Sequence, residues 1–170
     1  VSARRGWGVV WGGLGAVVWV VWSNPINPTG QVLLPERLLA WRERLARCGG
    51  WLVVDEAFVE GLPGHMLDPW AGAANLVILR SLGKFFGLAG IRAGAVLLES
   101  GLAKQFNHEL GPWPVSGPTR YLMKWVLVDE AWQANALIKQ KEASNRLSAL
   151  LEQHGLGVPS GTLLFQTVRH

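Results

Sequence analysis

Three short segments of the sequence carry side chains whose types and positions could do chemistry together. In Asn24-Pro-Ile-Asn-Pro-Thr-Gly30, two X-Pro units hold a tight loop that would present Asn27 as a hydrogen-bond donor. Asp55 stands at the tip of the apolar run Trp51-Leu-Val-Val54, where a carboxylate either pairs with a cation or caps a helix. Lys84 lies in a glycine-rich, nearly apolar loop, and an amine withdrawn from water there would be a nucleophile toward carbonyl groups.

Each of these features also has an ordinary structural explanation. An Asn-Pro loop can be only a turn, a strand-end aspartate only a cap, and a lysine beside glycine only a solvent-exposed side chain. Their positions along the chain favour a shared site, because open α/β sheets bind ligands at the carboxyl ends of their strands. An amide donor, an acid and an amine at three such ends therefore predict one site.

The hydrophobic pattern predicts the elements that must position these side chains. Short runs of β-branched and aromatic residues are typical of buried strands, and apolar residues every three or four positions are typical of helices. Strands alternating with helices predict an α/β fold around a mostly parallel sheet. The predicted strands are Ala16–Trp22, Trp51–Val54, Asn75–Leu79 and Ala93–Leu98, the predicted helices are Pro35–Cys48, Leu102–Leu110, Val115–Val128 and Asp129–His154, and the run Thr162–Val168 is strand-like.

The composition excludes several classes of protein. Of the 170 residues, 49% are hydrophobic and 16% are charged, which excludes a disordered or fibrous chain. The 16 Lys and Arg residues against 12 Asp and Glu residues give a formal net charge of +4, but they form no compact basic stripe, so we expect no nucleic-acid partner. Cys48 is the single cysteine, and no Cys/His cluster has zinc spacing, so we expect a cytoplasmic protein without a metal site.

One apolar segment could be mistaken for a targeting sequence. The residues from Trp7 to Trp22 carry no charge and follow Arg4 and Arg5, an arrangement that imitates a signal peptide. The segment is shorter than the roughly 20 apolar residues that a membrane-spanning helix needs, and it contains several glycines. We therefore expect its end to form a strand buried on both faces, and we expect no membrane partner.

The three segments together form a combination of motifs. These are Asn-Pro-x-Asn-Pro-Thr-Gly, Asp-Glu-Ala after a strand, and Ser-x-x-Lys followed by Gly-x-x-Gly-x-Arg over Ser81–Arg92. In this combination the sequence resembles the fold type I pyridoxal-phosphate enzymes, in the branch of the aspartate and histidinol-phosphate aminotransferases, strongly from Val20 to Gly94 and weakly from there to His170. The resemblance implies a three-layer α/β sandwich as the cofactor-binding large domain over residues 1–130, then a connecting helix and the start of a small C-terminal α+β domain over residues 131–170.

The resemblance also implies a role for each candidate residue. Lys84 would form the imine with the aldehyde of pyridoxal 5'-phosphate, and Asp55 would pair with the protonated pyridine nitrogen. Asn27 would hydrogen-bond the ring oxygen, while Ser81 and Arg92 would hold the cofactor phosphate. A homodimer is implied as well, because active sites of this family form at the subunit interface.

One position departs from the aminotransferase pattern. Aminotransferases of this branch generally carry Tyr three residues after the aspartate, whereas this sequence has Phe58, which cannot donate a hydrogen bond. With Phe58, the Ser81–Arg92 segment and the Gly111–Gly117 segment, the sequence looks like the threonine-phosphate decarboxylases of cobalamin biosynthesis. That likeness implies conversion of L-threonine O-3-phosphate to (R)-1-amino-2-propanol O-2-phosphate with loss of carbon dioxide. Two alternatives stay open: an aminotransferase of the histidinol-phosphate type, and a non-catalytic regulator that binds pyridoxal phosphate.

Enzymes of this family are much longer chains, so we expect this sequence to be a fragment. The parts expected to be missing are an amino-terminal half, with the aromatic residue that stacks on the cofactor ring, and most of a small domain, with an arginine that grips the substrate carboxylate. Arg169 is more simply a surface residue than that arginine. The fragment alone is therefore expected to bind the cofactor weakly or not at all.

Overall fold

A five-stranded sheet lies at the centre of the computed structural model, which describes residues 9–12 and 18–168. The strands are β1 (Val9–Gly12), β2 (Val18–Ser23), β3 (Trp51–Asp55), β4 (Leu76–Ser81) and β5 (Gly94–Leu97). They stand in the sheet in chain order. β3 pairs in parallel with both β2 and β4, whereas β1 pairs antiparallel with β2 and β5 pairs antiparallel with β4. The sheet is therefore parallel in its centre and antiparallel at both sides.

Four α-helices and a small hairpin accompany the sheet in the described part of the chain. The helices are α1 (Pro35–Ala46), α2 (Ser100–Leu110), α3 (Gly117–Val128) and α4 (Glu130–Gln153), and the hairpin consists of β6 (Ser160–Thr162) and β7 (Phe165–Thr167).

Local sequence determines where these helices begin. Pro35 stands in the first turn of α1, where its missing N–H leaves no helical hydrogen bond unmade. At the start of α3, the Ser116 hydroxyl accepts a hydrogen bond from the backbone N–H of Thr119 at 3.4 Å. At the start of α4, the Asp129 carboxylate accepts one from the backbone N–H of Trp132 at 2.9 Å. Such caps satisfy N–H groups that have no partner within the helix.

The hydrophobic core lies between α1 and one face of the sheet. Leu38 of α1 packs against Leu52, Val54 and Ile78 of the central strands, and all four side chains are fully buried. Burial of each such side chain stabilises the fold by about 1.5 to 3 kcal/mol. Because successive residues of a strand point to opposite faces, Asp55 at the end of β3 points away from this core.

The other face of the sheet is less covered. Trp19 and Trp51 stack on it with ring centroids 5.7 Å apart, and Trp19 is 38% exposed. Val96 of β5 is 44% exposed on the same face. The prediction that the Ala16–Trp22 strand is buried on both faces is therefore wrong for its described part, since one face of β2 meets α1 and the other carries the partly exposed tryptophan.

The predicted elements agree with the structure to within a few residues, and the α/β class is confirmed. Three features were not predicted. β1 and β5 both pair antiparallel with their neighbours, and a turn interrupts the strand-like run Thr162–Val168, which therefore forms the end of β6, the turn and β7 of the hairpin. Arg4, Arg5 and Arg169 lie outside the described residues. No helix in the described part of the chain is both long and apolar enough to span a membrane.

Candidate active site

Strand register brings two of the candidate residues to one edge and one face of the sheet. Asp55 is paired with Ser23 on one side and with Leu79 on the other. Ser81 lies two residues after Leu79, on the same face, and is paired with Gly94 at the start of β5. Asp55 and Ser81 therefore both stand at the carboxyl edge of the parallel strands, where this class of sheet binds ligands.

The Asn-Pro loop is joined to this edge through Asn24. The backbone N–H of Asn24 donates to the carbonyl of Asp55 at 2.8 Å, so the loop continues directly from the β2–β3 ladder. The Asn24 side chain is buried, accepts from the backbone N–H of Leu33 at 2.8 Å and donates to the Leu33 carbonyl at 3.0 Å. Asn24 thus fixes the loop from within, a role that the sequence reading did not assign to it. Asn27 is exposed on the same loop.

The Asp55 carboxylate makes a local hydrogen bond in the turn after β3 through one oxygen only. Its side chain is half-buried, and Oδ1 accepts a hydrogen bond from the backbone N–H of Ala57 at 3.0 Å. Within the described residues Oδ2 has no hydrogen-bond partner. The explanation that Asp55 caps a helix is therefore wrong, because residues 56–62 form turns and no helix begins among them, and the second oxygen is available to a ligand.

Ser81 ends β4, and the turn that follows carries Lys84 and Arg92. The Ser81 hydroxyl accepts from the backbone N–H of Gly83 at 3.2 Å. Arg92 is exposed, lies in the left-handed region with φ 51°, and donates from Nη1 to the Ala89 carbonyl at 3.3 Å. Gly94 allows this turn to return close to β4, because a Cβ there would lie 2.6 Å from the Arg80 carbonyl oxygen.

Of the two interpretations of Lys84, a withdrawn amine and a solvent-exposed side chain, the structure supports the second. Lys84 is exposed, and its Nζ lies 5.2 Å from the centroid of the Phe58 ring. The reason is the loop itself: Leu82 and Phe85 turn inward, with 2% and 4% of their surfaces exposed, and this directs the intervening lysine outward.

The hairpin packs against the same edge. A Cβ on Gly30 would lie 2.5 Å from the Cα of Gly161, so the Asn-Pro loop and β6 are in backbone contact. The Thr167 hydroxyl donates to the carbonyl of Pro28. Two glycines and a hydroxyl therefore fix the hairpin beside the loop that carries Asn27.

An ion-pair cluster, which the sequence analysis missed, lies on the opposite face of the same edge. Arg80 reaches three carboxylates: its Nε is 3.3 Å from Glu56 Oε2, its Nη1 is 3.5 Å from Glu60 Oε1, and its Nη2 is 2.6 Å from Asp68 Oδ1. Glu56 is fully buried and also accepts from the backbone N–H of Leu67 at 3.0 Å. The signal was present in the alternation of the strands, since Glu56 follows Asp55 and Arg80 precedes Ser81.

Burial governs the protonation of this cluster. It raises the pKa of Glu56 to about 7, although the Arg80 guanidinium and the Leu67 N–H act in the opposite direction. Burial also raises the pKa of Glu60. Arg80, Glu60 and Asp68 line a cavity of about 320 Å³, and Ser81 of the candidate site lines it as well.

The residues at the Asp55 edge form a donor set that fits a phosphorylated pyridine aldehyde. A guanidinium and a hydroxyl suit a phosphate, a carboxylate suits a protonated ring nitrogen, and an amine suits an aldehyde. Gly83 packs closely beside these groups, because a Cβ there would lie 3.2 Å from the Cα of Ala89 and in ordinary contact with Ser81 Oγ at 3.6 Å. No group of three or more metal-binding side chains is found among the residues described.

Comparison with known proteins gives relatives of two kinds. The chain is 46% identical over 143 residues to the threonine-phosphate decarboxylase of Pseudomonas aeruginosa, across 84% of this chain and 43% of that protein. It is 41% identical over 156 residues to the threonine-phosphate decarboxylase of a Sinorhizobium species, across 89% of this chain and 45% of that protein. The solved histidinol-phosphate aminotransferase of Sinorhizobium meliloti in complex with pyridoxal-5'-phosphate matches with a TM-score of 0.75 and 26% identity, across 88% of this chain and 40% of that chain.

The chain thus spans less than half the length of each of these three relatives. The family model described as aminotransferase class I and II matches residues 13–165, which is most of the sequence and includes every candidate residue discussed above. On this match, the chain belongs to the aminotransferase class I and II family.

Proposed function

We propose that the whole protein is a pyridoxal-phosphate-dependent lyase that decarboxylates L-threonine O-3-phosphate to (R)-1-amino-2-propanol O-2-phosphate, a step of cobalamin biosynthesis. The observation that carries the proposal is that Asp55, Ser81 and Lys84 lie at one sheet edge in a chain 46% identical to a curated threonine-phosphate decarboxylase. A homodimer, a cytoplasmic location, and the division into a large domain over residues 1–130 and a following segment over residues 131–170 are parts of the same proposal.

Each residue of the site has a distinct task in this proposal. Ser81 and Arg92 bind the cofactor phosphate, the first through its hydroxyl and the second through its planar guanidinium. The free oxygen of Asp55 holds the proton on the ring nitrogen, and Asn27 donates to the ring oxygen. Lys84 would hold the cofactor through its aldehyde group, and its amine would give or take a proton at the substrate Cα. When bound, pyridoxal phosphate supplies a sink for the electron pair released as a bond to Cα breaks.

Two observations favour decarboxylation over amino transfer. The chain is 46% and 41% identical to the two decarboxylases over 143 and 156 residues, whereas curated histidinol-phosphate aminotransferases are 27% identical over 185 residues or 34% to 38% identical over 96 to 131 residues. Phe58, three residues after Asp55, removes the tyrosine hydroxyl that the resemblance assigns to aminotransferases of this branch. The aminotransferase of the histidinol-phosphate type stays the second candidate, because its fold matches with a TM-score of 0.75.

The products of the reaction separate these two candidates. The whole protein, loaded with pyridoxal 5'-phosphate, is incubated with L-threonine O-3-phosphate, and carbon dioxide, amine and keto acid are measured by mass spectrometry. We expect equal amounts of carbon dioxide and aminopropanol phosphate without any keto acid. Glutamate and an imidazolyl 2-oxopropyl phosphate, formed from histidinol phosphate and 2-oxoglutarate, with no carbon dioxide from threonine phosphate, would support the aminotransferase.

A further inference from the structure

Phe58 occupies a central place in the candidate active site that the proposed function leaves without a task. Asp55 fixes the turn after β3, since Oδ1 of Asp55 binds the N–H of Ala57 at 3.0 Å. The next residue is Phe58, which lies in this turn and whose side chain is half-buried. Its side chain has a face that can attract a cation and no atom that can donate a conventional hydrogen bond.

The amine of Lys84 lies over this ring. The distance from Nζ to the ring centroid is 5.2 Å, within the range of about 6 Å in which the quadrupole of an aromatic ring attracts an ammonium group. In the part of the chain that the structure describes, Lys84 makes no ion pair with a carboxylate. The Phe58 ring is therefore the group with which the charged end of this exposed lysine interacts.

A second aromatic ring holds Phe58 in position. Phe165 of β7 meets Phe58 edge to face, with centroids 5.2 Å apart and an interplanar angle of 82°. The hairpin that carries Phe165 is itself fixed to the Asn-Pro loop by Thr167 and by the contact between Gly30 and Gly161. The orientation of the Phe58 face is thus set by the same elements that form the site.

We propose that Phe58 is a positioning residue for Lys84. The face of the Phe58 ring holds the protonated amine of Lys84 at the carboxyl edge of the sheet. The catalytic consequence of this contact rests on the proposed function. When carbon dioxide departs, it leaves its bonding electron pair at Cα, and Cα must gain a proton in its place. An ammonium group held here can supply that proton. Phe58 thereby retains the lysine by attraction to its face and leaves the ring oxygen of the cofactor to Asn27 alone.

The test measures the protonation of Lys84 in the full chain without any cofactor. Acetic anhydride labels only the free-base form of an amine, and peptide mass spectrometry gives the ratio of label on Lys84 to label on Lys139, an exposed lysine of α4. Phenylalanines with one to three ring fluorines replace Phe58, because each fluorine weakens the attraction for a cation while the ring keeps its shape. The same replacements at Phe106 of α2 are the matched control.

The expected result is a stepwise rise of the labelling ratio with fluorine number at position 58, reaching about two- to fivefold, the factor that corresponds to a cation–π contact at an exposed site. Phe58→Leu should give the same rise and Phe58→Tyr should keep the wild-type ratio, while replacements at Phe106 leave it unchanged. A ratio that does not respond to fluorination at position 58 overturns the inference. Because no cofactor is present, this outcome is independent of whether the whole protein binds pyridoxal phosphate.

Discussion

Two adjacent carboxylates, Asp55 and Glu56, have opposite surroundings because consecutive residues at a strand end point to opposite faces. Asp55 faces the candidate active site with one oxygen available, whereas Glu56 is fully buried beside Arg80. Burial of a carboxylate favours its neutral form, and a nearby guanidinium favours its charged form. At Glu56 burial has the larger effect, since the pKa lies at about 7.

This raised pKa predicts a pH dependence of stability. The folded chain holds a proton on Glu56 more tightly than the unfolded chain does, so its contribution is fully present below the ordinary glutamate pKa and is lost as the pH rises through about 7. Between pH 4.5 and pH 7, Glu56 should lower the unfolding free energy of the wild-type chain by a few kcal/mol at most. Glu56→Gln should remove this decrease and so make the pH dependence less steep. Urea unfolding at a series of pH values measures this slope.

Glu36, an exposed glutamate in the first turn of α1, provides the control. Glu36→Gln should keep the pH dependence of the wild-type chain. If the Glu56 and Glu36 variants show the same slope as the wild type, the protonation of Glu56 does not contribute to stability in this range.

At the scale of the elements, the contact between β4 and β5 positions the turn that carries Lys84 and Arg92. A Cβ on Gly94 would lie 2.6 Å from the Arg80 carbonyl oxygen, and backbone cannot move aside as a flexible side chain can. Gly94→Ala should therefore lower the unfolding free energy by about 1 to 3 kcal/mol, as overpacking does elsewhere. Urea unfolding at constant pH measures the effect.

Gly101 in α2 is the matched glycine for this comparison, because a Cβ there would meet no atom within 4 Å. Gly101→Ala should leave stability unchanged or raise it by up to about 1 kcal/mol, through helix propensity. Equal effects of the two alanine substitutions would mean that β5 does not need the close approach at Gly94.

The strands and helices show how much of this fold can be predicted from the sequence. Apolar periodicity located β3 and α1 because burial on one side leaves a pattern in the sequence. It could not reveal that β5 runs antiparallel, since partner choice depends on tertiary packing. It also could not decide whether Lys84 is withdrawn from water or exposed, because it could not show that Leu82 and Phe85 take the buried positions of the loop.

At the scale of the whole molecule, large apolar side chains of the described part stand in water. Trp113 is 84% exposed, Tyr121 is 63% exposed and Trp125 is 59% exposed, and the last two lie on α3. Exposed apolar patches of this kind are typical of contact surfaces. This surface is compatible with the homodimer that we propose for the whole protein.

We therefore expect the 170-residue chain to associate with itself in a concentration-dependent way. Trp125→Gln should lower the apparent mass at a given concentration, because it removes the largest exposed ring of α3. Light scattering after size-exclusion chromatography measures the mass. Lys124→Gln, at the neighbouring exposed position, should have no such effect, and a chain that stays monomeric at every concentration would refute this expectation.

The central claim is that Lys84 is the residue that bonds to pyridoxal phosphate. The direct measurement is borohydride reduction of the cofactor-loaded whole protein, followed by peptide mass spectrometry and, in parallel, by the visible absorbance of the unreduced protein. We expect the reduced cofactor on Lys84, and we expect Lys84→Ala to lose the absorbance while Lys104→Ala retains it. A cofactor found on another lysine, or an unchanged absorbance in the Lys84→Ala protein, would show that Lys84 is not the residue that bonds to pyridoxal phosphate.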